Sequence, residues 1–143
     1  MFRTFFLLYF LFTSILLAEE YILEALGDFS RKEIQLDEKT FTIFETSFKW
    51  KDSYGGFGEG YCIGHMENVK NNLDIYNLCE NTDSTGEKFW LEGIRKTGNE
   101  RGVGILKYIK TSEKYKIFLN KTCNYAVSWF SEDSFFLKQK CKL

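Results

Sequence analysis

The sequence predicts an all-β protein: an antiparallel meander barrel of about eight strands, with a β-sandwich as the alternative. Three observations predict it. From Thr40 onward, short segments alternate apolar and polar residues with period two. Clusters of Gly, Asn, Asp and Ser separate them at intervals of roughly 8–12 residues, the spacing of sandwiches and barrels. These clusters are too short for the dozen-residue crossovers that parallel strands require, so neighbours in sequence should pair antiparallel. A closed barrel also removes the exposed edges that an open sheet must protect.

The first element is an address. Met1–Ala18 reads MFRTFFLLYFLFTSILLA, with Arg3 as a short positive region and an apolar run from Phe5. A bilayer-spanning helix needs about 20 apolar residues, and this run is shorter, so it reads as the helix of a secretory signal peptide. Cleavage is expected after Ala18, leaving about 125 residues and no later membrane span. Residues 19–39 form a lead-in in which Tyr21, Leu23, Ala25, Leu26 and Phe29 mix periods around Gly27. A short helix and an extended segment both fit it.

The barrel domain is expected over residues 40–143. Its first strand carries the alternating set Thr42, Phe44, Thr46, Phe48 and Trp50. Further strands are expected at Glu59–Glu67, Leu73–Cys79, Lys88–Arg95, Gly102–Lys110, Lys114–Asn120, Thr122–Phe130 and Ser134–Cys141. The turns between them hold glycines, which accept positive φ, and Asx residues, whose side chains bond their own backbone.

Composition excludes several classes. The 143 residues carry 19 Lys+Arg and 20 Asp+Glu, a formal charge of −1. Nucleic-acid binding normally needs a clustered positive surplus, so no nucleic-acid partner is expected. Apolar residues make up 44% of the chain and aromatics 18%, which excludes disorder. Lys outnumbers Arg 15 to 4 and Pro is absent. We read this bias as that of an AT-rich genome, which explains much of the aromatic excess.

Cys62, Cys79, Cys123 and Cys141 all follow the expected cleavage point. An even count in an exported chain reads as disulfides, with three connectivities open to four cysteines. Hairpin geometry selects one. The centre of the Cys62–Cys79 interval falls in the turn cluster Asn68–Asn72, and that of Cys123–Cys141 falls in Ser131–Ser134. The implied registers set Ile63 against Leu78, His65 against Tyr76 and Met66 against Ile75. In the second hairpin they set Val127 against Leu137, Trp129 against Phe135 and Ala126 against Lys138. Opposed strand residues about 4.5–5.5 Å apart can accept a disulfide. The expected links are therefore Cys62–Cys79 and Cys123–Cys141.

Other chemistry is sparse. Cys62-Ile-Gly-His65 lacks the paired spacing of zinc sites, and positions 62 and 65 face opposite sides of a strand. No metal and no cofactor are implied, and a Cys–His catalytic pair fails for the same facial reason. Gly55–Gly60 lacks the Gly-Lys-Ser/Thr ending of a phosphate loop, and a glycine-rich turn entering a strand accounts for it. Gly102-Val103-Gly104 reads as a bend or a place for a large neighbour to pack. His65, the only histidine, is expected to be partly buried on the Ile63/Leu78 face, bonded to Tyr76. Glu59, Glu67, Asp74, Glu80 and Glu92 show no spacing that singles out an acid/base pair. Asn120-Lys-Thr122 is a glycosylation sequon. Some aromatics should fill the barrel, which at eight strands either packs solid or holds one small ligand. Tyr61, His65, Tyr76 and Trp90 are the candidate binding residues.

The run Phe48–Cys62 resembles small exported proteins of marine, AT-rich bacteria. Cys79-Glu80, Gly86–Trp90, Gly102–Gly104, Lys114–Lys116 and Cys123–Val127 are similar in order and spacing. These proteins resemble, more distantly, allene oxide cyclase-like or dirigent-like barrels, which share a G-T-G-K-Y-type element. Here Lys110-Thr-Ser-Glu-Lys114-Tyr115 lacks both glycines. The resemblance implies a barrel and carries over no catalytic residue. The expected protein is a periplasmic or secreted, disulfide-stapled barrel that binds a small apolar ligand or an envelope component. The alternatives are a cyclase-like barrel enzyme acting on a hydrophobic substrate and a packed structural or interaction domain.

Overall fold

In the computed structural model of the chain, residues 20–96 and 102–143 are described. The expected signal segment and most of the Lys96–Arg101 turn lie outside them. The strands are β1 (Glu20–Leu36), β2 (Lys39–Asp52), β3 (Phe57–Val69), β4 (Asn72–Asp83), β5 (Lys88–Arg95), β6 (Val103–Thr111), β7 (Thr122–Trp129) and β8 (Ser134–Lys142). Each pairs antiparallel with the next, and β8 returns to pair with β1. This is the closed eight-stranded meander, and the sandwich alternative falls.

The eight strands are not the eight expected ones. Residues 19–39 are no separate lead-in, because Glu20–Leu36 is a barrel strand paired on both sides along its first half. Tyr21, Leu23, Ala25 and Phe29 alternate inward and are buried. Gly27 occupies the one inward position that must stay bare, since a Cβ there would strike Ser47 and Phe48 on β2. The exposed Leu26 is what blurred the period. Conversely, the expected strand Lys114–Asn120 is a 3₁₀ helix, Glu113–Phe118. Residues three apart project from one side of a 3₁₀ helix but from opposite faces of a strand. Tyr115 and Phe118 both turn inward, at 4% and 3% exposure, which only the helix allows.

Both hairpin registers follow from the cysteines. Cys62 pairs with Cys79 and is bonded to it, with Cα atoms 4.0 Å apart. Cys123 and Cys141 are bonded across 4.4 Å. Met66 faces Ile75, His65 faces Tyr76, and Val127 faces Leu137. The facial assignment of the first hairpin is reversed for one set, however. The cysteines point inward, so Ile63 and Leu78 point outward at 53% and 47% exposure. His65 shares that outer face and is exposed, correcting the expected partial burial.

The interior has two parts. At one end the 3₁₀ helix caps the barrel with Tyr115 and Phe118, packed with Tyr21, Trp50, Phe89 and Tyr108. Ring centroids there lie 4.5 Å (Tyr21–Phe118), 4.7 Å (Phe89–Tyr115) and 5.0 Å (Tyr108–Phe118) apart. Such pairs add about 0.5–1.5 kcal/mol each beyond the area they bury. Toward the other end Phe29, Phe44 and Phe135 form a smaller cluster, and that end is open among the described residues.

Candidate functional site

Between the capped end and the open end, the inward faces leave a cavity of about 120 Å³. An engineered cavity of roughly 150 Å³ accepts benzene, so this space is of small-ligand size. The inner face of β3 is nearly bare. Its inward residues run Gly58, Gly60, Cys62, Gly64, Met66, and larger side chains from adjoining strands lie across the glycines. Phe48 and Asn81 cover Gly60, Phe44 covers Gly64, Asn77 covers Gly93 on β5, and the Tyr125 ring covers Gly104 on β6. The reading of Gly104 as a place for a large neighbour holds. Gly58 and Gly60 are strand residues, while Gly55, with φ +85°, is the turn glycine.

The cavity wall is mostly apolar, including Leu23, Phe48, Leu91, Leu106 and Leu137, with the Cys62–Cys79 disulfide. Thr46, Asn77, Asn81 and Gln139 interrupt it with hydroxyl and amide groups, and Arg95 and Tyr125 also line it. Gln139 is fully buried and donates from Nε2 to Tyr108 Oη at 2.9 Å and toward Cys141 Sγ at 3.2 Å. Its Oε1 has no protein partner, and the same holds for Thr46 Oγ1, Asn77 Oδ1 and Asn81 Nδ2. Buried polar atoms are bonded in the large majority of cases, so four unpartnered ones around one cavity need an explanation. They offer acceptors from Gln139 and Asn77, a donor from Asn81, and a hydroxyl that does both. The cavity lining holds no carboxylate, histidine or lysine among the described residues.

Above the cavity the barrel opens into a vestibule of about 650 Å³ rimmed by Arg31, Leu73, Arg95, Trp129 and Glu132, among others. Arg95 borders both spaces. Burial pushes the Tyr125 phenol above its ordinary range, and the positive charge of Arg95 partly offsets this.

The ionised network lies at the capped end, away from the cavity. Asp83 accepts hydrogen bonds from Tyr115 Oη at 2.9 Å, Thr85 Oγ1 at 2.7 Å and the Thr85 backbone at 2.8 Å, and pairs with Lys114. Burial works to raise its carboxyl, but Lys114 and the hydroxyl donors outweigh it and hold the group well below the usual carboxylate range. Tyr21 donates to Asp52 at 3.1 Å. Burial first, and the nearby acidic groups second, push the Tyr21 and Tyr115 phenols above their ordinary range. These groups hold the cap to the barrel.

The four residues singled out from the sequence lie on the outer surface, and none lines the cavity. Tyr61 is half exposed. The His65 ring sits 5.8 Å from both Phe41 and Tyr76, and Tyr76 Oη donates to Glu92 at 3.1 Å, not to His65. Trp90 Nε1 donates to Glu80 at 2.9 Å, with Lys110 over its ring at 4.6 Å. The structure brings His65 and Tyr76 together and Tyr61 beside Glu80, Trp90's partner. Sequence reasoning missed Thr46, Asn77, Asn81, Arg95, Tyr125 and Gln139. The signal was present. Asn77 and Asn81 share the parity of Cys79, and Gln139 shares that of Cys141, so the disulfide registers already turned them inward.

No protein-family profile matches the chain, and no curated protein matches it in sequence. Solved structures do match its fold. A protein of unknown function from Clostridium acetobutylicum is similar with a TM-score of 0.64 at 14% identity, covering 87% of this chain and 98% of that one. A conserved protein of unknown function from Rhodopseudomonas palustris gives 0.66 at 10% identity, covering 87% and 97%. An enzyme from Penicillium herquei gives 0.65 at 12% identity, covering 87% and 94%. At these identities the likeness is one of barrel fold. The resemblance to allene oxide cyclase-like barrels gains no support from them beyond that.

Proposed function

We propose that this barrel is a binding module for a small, mostly apolar molecule carrying uncharged polar groups, held inside the lumen. The observation that carries the reading is the set of four unpartnered polar atoms, on Thr46, Asn77, Asn81 and Gln139, around one apolar cavity. An apolar pocket with a few converging polar groups is the usual form of a ligand site. A purely structural domain would be better served by an interior packed solid. The described lining holds no carboxylate, histidine or lysine, which favours binding over acid–base catalysis by those groups.

We further propose that the chain works outside the cytoplasm, after removal of residues 1–18. The two disulfides are compatible with an oxidising compartment. Native mass spectrometry of the protein recovered from the periplasm tests both ideas. The expected result is a mass matching cleavage after Ala18 plus a retained small molecule. A bare protein after exposure to lipid and small-molecule extracts would overturn the binding reading. An intact N-terminus would overturn the export reading.

A further inference from the structure

The charge on the lumen wall stands at its mouth. Basic residues in this chain are 15 Lys and 4 Arg, yet the two cations on the described rim are both arginines, Arg31 on β1 and Arg95 on β5. Neither forms an ion pair among the described residues, whereas lysines such as Lys39, Lys88 and Lys114 pair with carboxylates elsewhere. Arginine presents a planar fork of donors that matches a carboxylate, which a lysine does not. Arg95 borders the apolar cavity as well as the vestibule, so its head stands where an occupant would emerge.

A second donor stands beside it. Ile94 pairs with Ile105 and Gly104 with Tyr125, so Arg95 and Tyr125 flank the Gly104 position from either side. Because Gly104 has no side chain, the Tyr125 ring and hydroxyl lie across it, inside the cavity wall. The hydroxyl is a neutral donor, since burial keeps the phenol protonated. Glu132 lies on the same rim and is exposed, where solvent and salt screen its charge, and Arg95 is the inner group.

We infer that the natural ligand is an amphipathic carboxylate, with its mostly apolar body and the uncharged polar groups proposed above in the cavity and its carboxylate at the mouth on Arg95 and Tyr125. The inference rests on the lumen being a binding site, and it fixes the direction of entry: apolar end first, through the open end. Arg31, on the outer rim, draws the anion in; Arg95 holds it. Charge-assisted bonds of this kind are roughly twice as strong as neutral ones.

The test uses three probes of one chain length, hexanoate, 1-hexanol and hexylamine, titrated into the disulfide-bonded protein at low salt and followed by NMR shifts of the cavity methyl groups. Hexanoate should bind at least about tenfold tighter than hexanol. Arg95→Gln should abolish that advantage, bringing hexanoate affinity to that of hexanol, while Arg95→Lys should restore part of it. If hexanol and hexanoate bind equally, if hexylamine binds best, or if Arg95→Gln leaves the hexanoate preference intact, the carboxylate inference is overturned and the cavity reading stands. If none of the three shifts a cavity methyl, both are overturned.

Discussion

The side-chain carbonyl of Asn77 lies directly over the α-carbon of Gly93, its register partner on β5. The contact leaves no room for a methyl group at Gly93, and it sets the direction in which the Asn77 amide faces the cavity.

Gly93→Ala therefore forces Asn77 to move or the strands to part. Overpacking of this kind costs about 1–3 kcal/mol. Urea denaturation should show that loss, and it should shrink when Asn77→Ala is made in the same chain, because the two residues share one contact. Equal losses in both backgrounds would show that the collision is absorbed elsewhere.

Thr46→Val replaces a buried hydroxyl that has no partner by a methyl of similar shape. Removing such a group is nearly neutral or stabilising, and Val suits a strand. The ligand-free protein should gain up to about 1 kcal/mol by this change, while affinity for a hydroxyl- or amide-bearing ligand falls. A loss of stability in the variant would mean that Thr46 Oγ1 already has a partner in solution.

The two disulfides close separate hairpins with sequence separations of 17 and 18. In the chain-entropy model each contributes about 3 kcal/mol. Cys62→Ala/Cys79→Ala and Cys123→Ala/Cys141→Ala should each lower stability by about that amount. The effects should add, because the loops share no residue. Calorimetric melting of these two variants and of the one that combines them, under non-reducing conditions, checks it.

Asp83 sets the acid limb of stability. Its folded-state pKa lies below that of the unfolded chain, so its contribution is full above the unfolded value near pH 4 and drains away as pH falls toward the folded one. Below pH 4 the native barrel should lose stability progressively. Asp83→Ala leaves the buried Tyr115 hydroxyl without its acceptor, while the half-exposed Lys114 rehydrates, and should cost about 1–3 kcal/mol at neutral pH, with a flatter acid limb. Denaturation midpoints measured from pH 2 to pH 7 test both.

Much of the fold was legible because it is made of hairpins. Two cysteine pairs and the turn clusters between them were enough to give the registers of β3–β4 and β7–β8. What stayed hidden depended on contacts between segments. Gly27 looked like a break in β1, yet it is an inward position facing Phe48. Tyr115 and Phe118 looked like strand residues because their burial comes from capping the barrel, which no local period encodes. The binding residues expected from the sequence and the cavity lining are different sets for a related reason. Aromatic residues drew attention, and on this barrel Tyr61, Tyr76 and Trp90 lie outside while short amides line the interior. Parity counted from the cysteines separates the two sets.

The closure of β8 on β1 gives the chain an unusual order of assembly. Seven of the eight strand pairings join neighbours in sequence; only β1–β8 brings together residues as distant as Glu20 and Lys142. Contacts between neighbours form at small entropic cost, and a single long-range closure carries most of the topological one. The barrel should therefore zip hairpin by hairpin and shut once. Glu20 and Lys142 meet at that seam, so a short linker between these two residues, with new ends opened at the Asn71 turn, would turn the slowest contact into a local one.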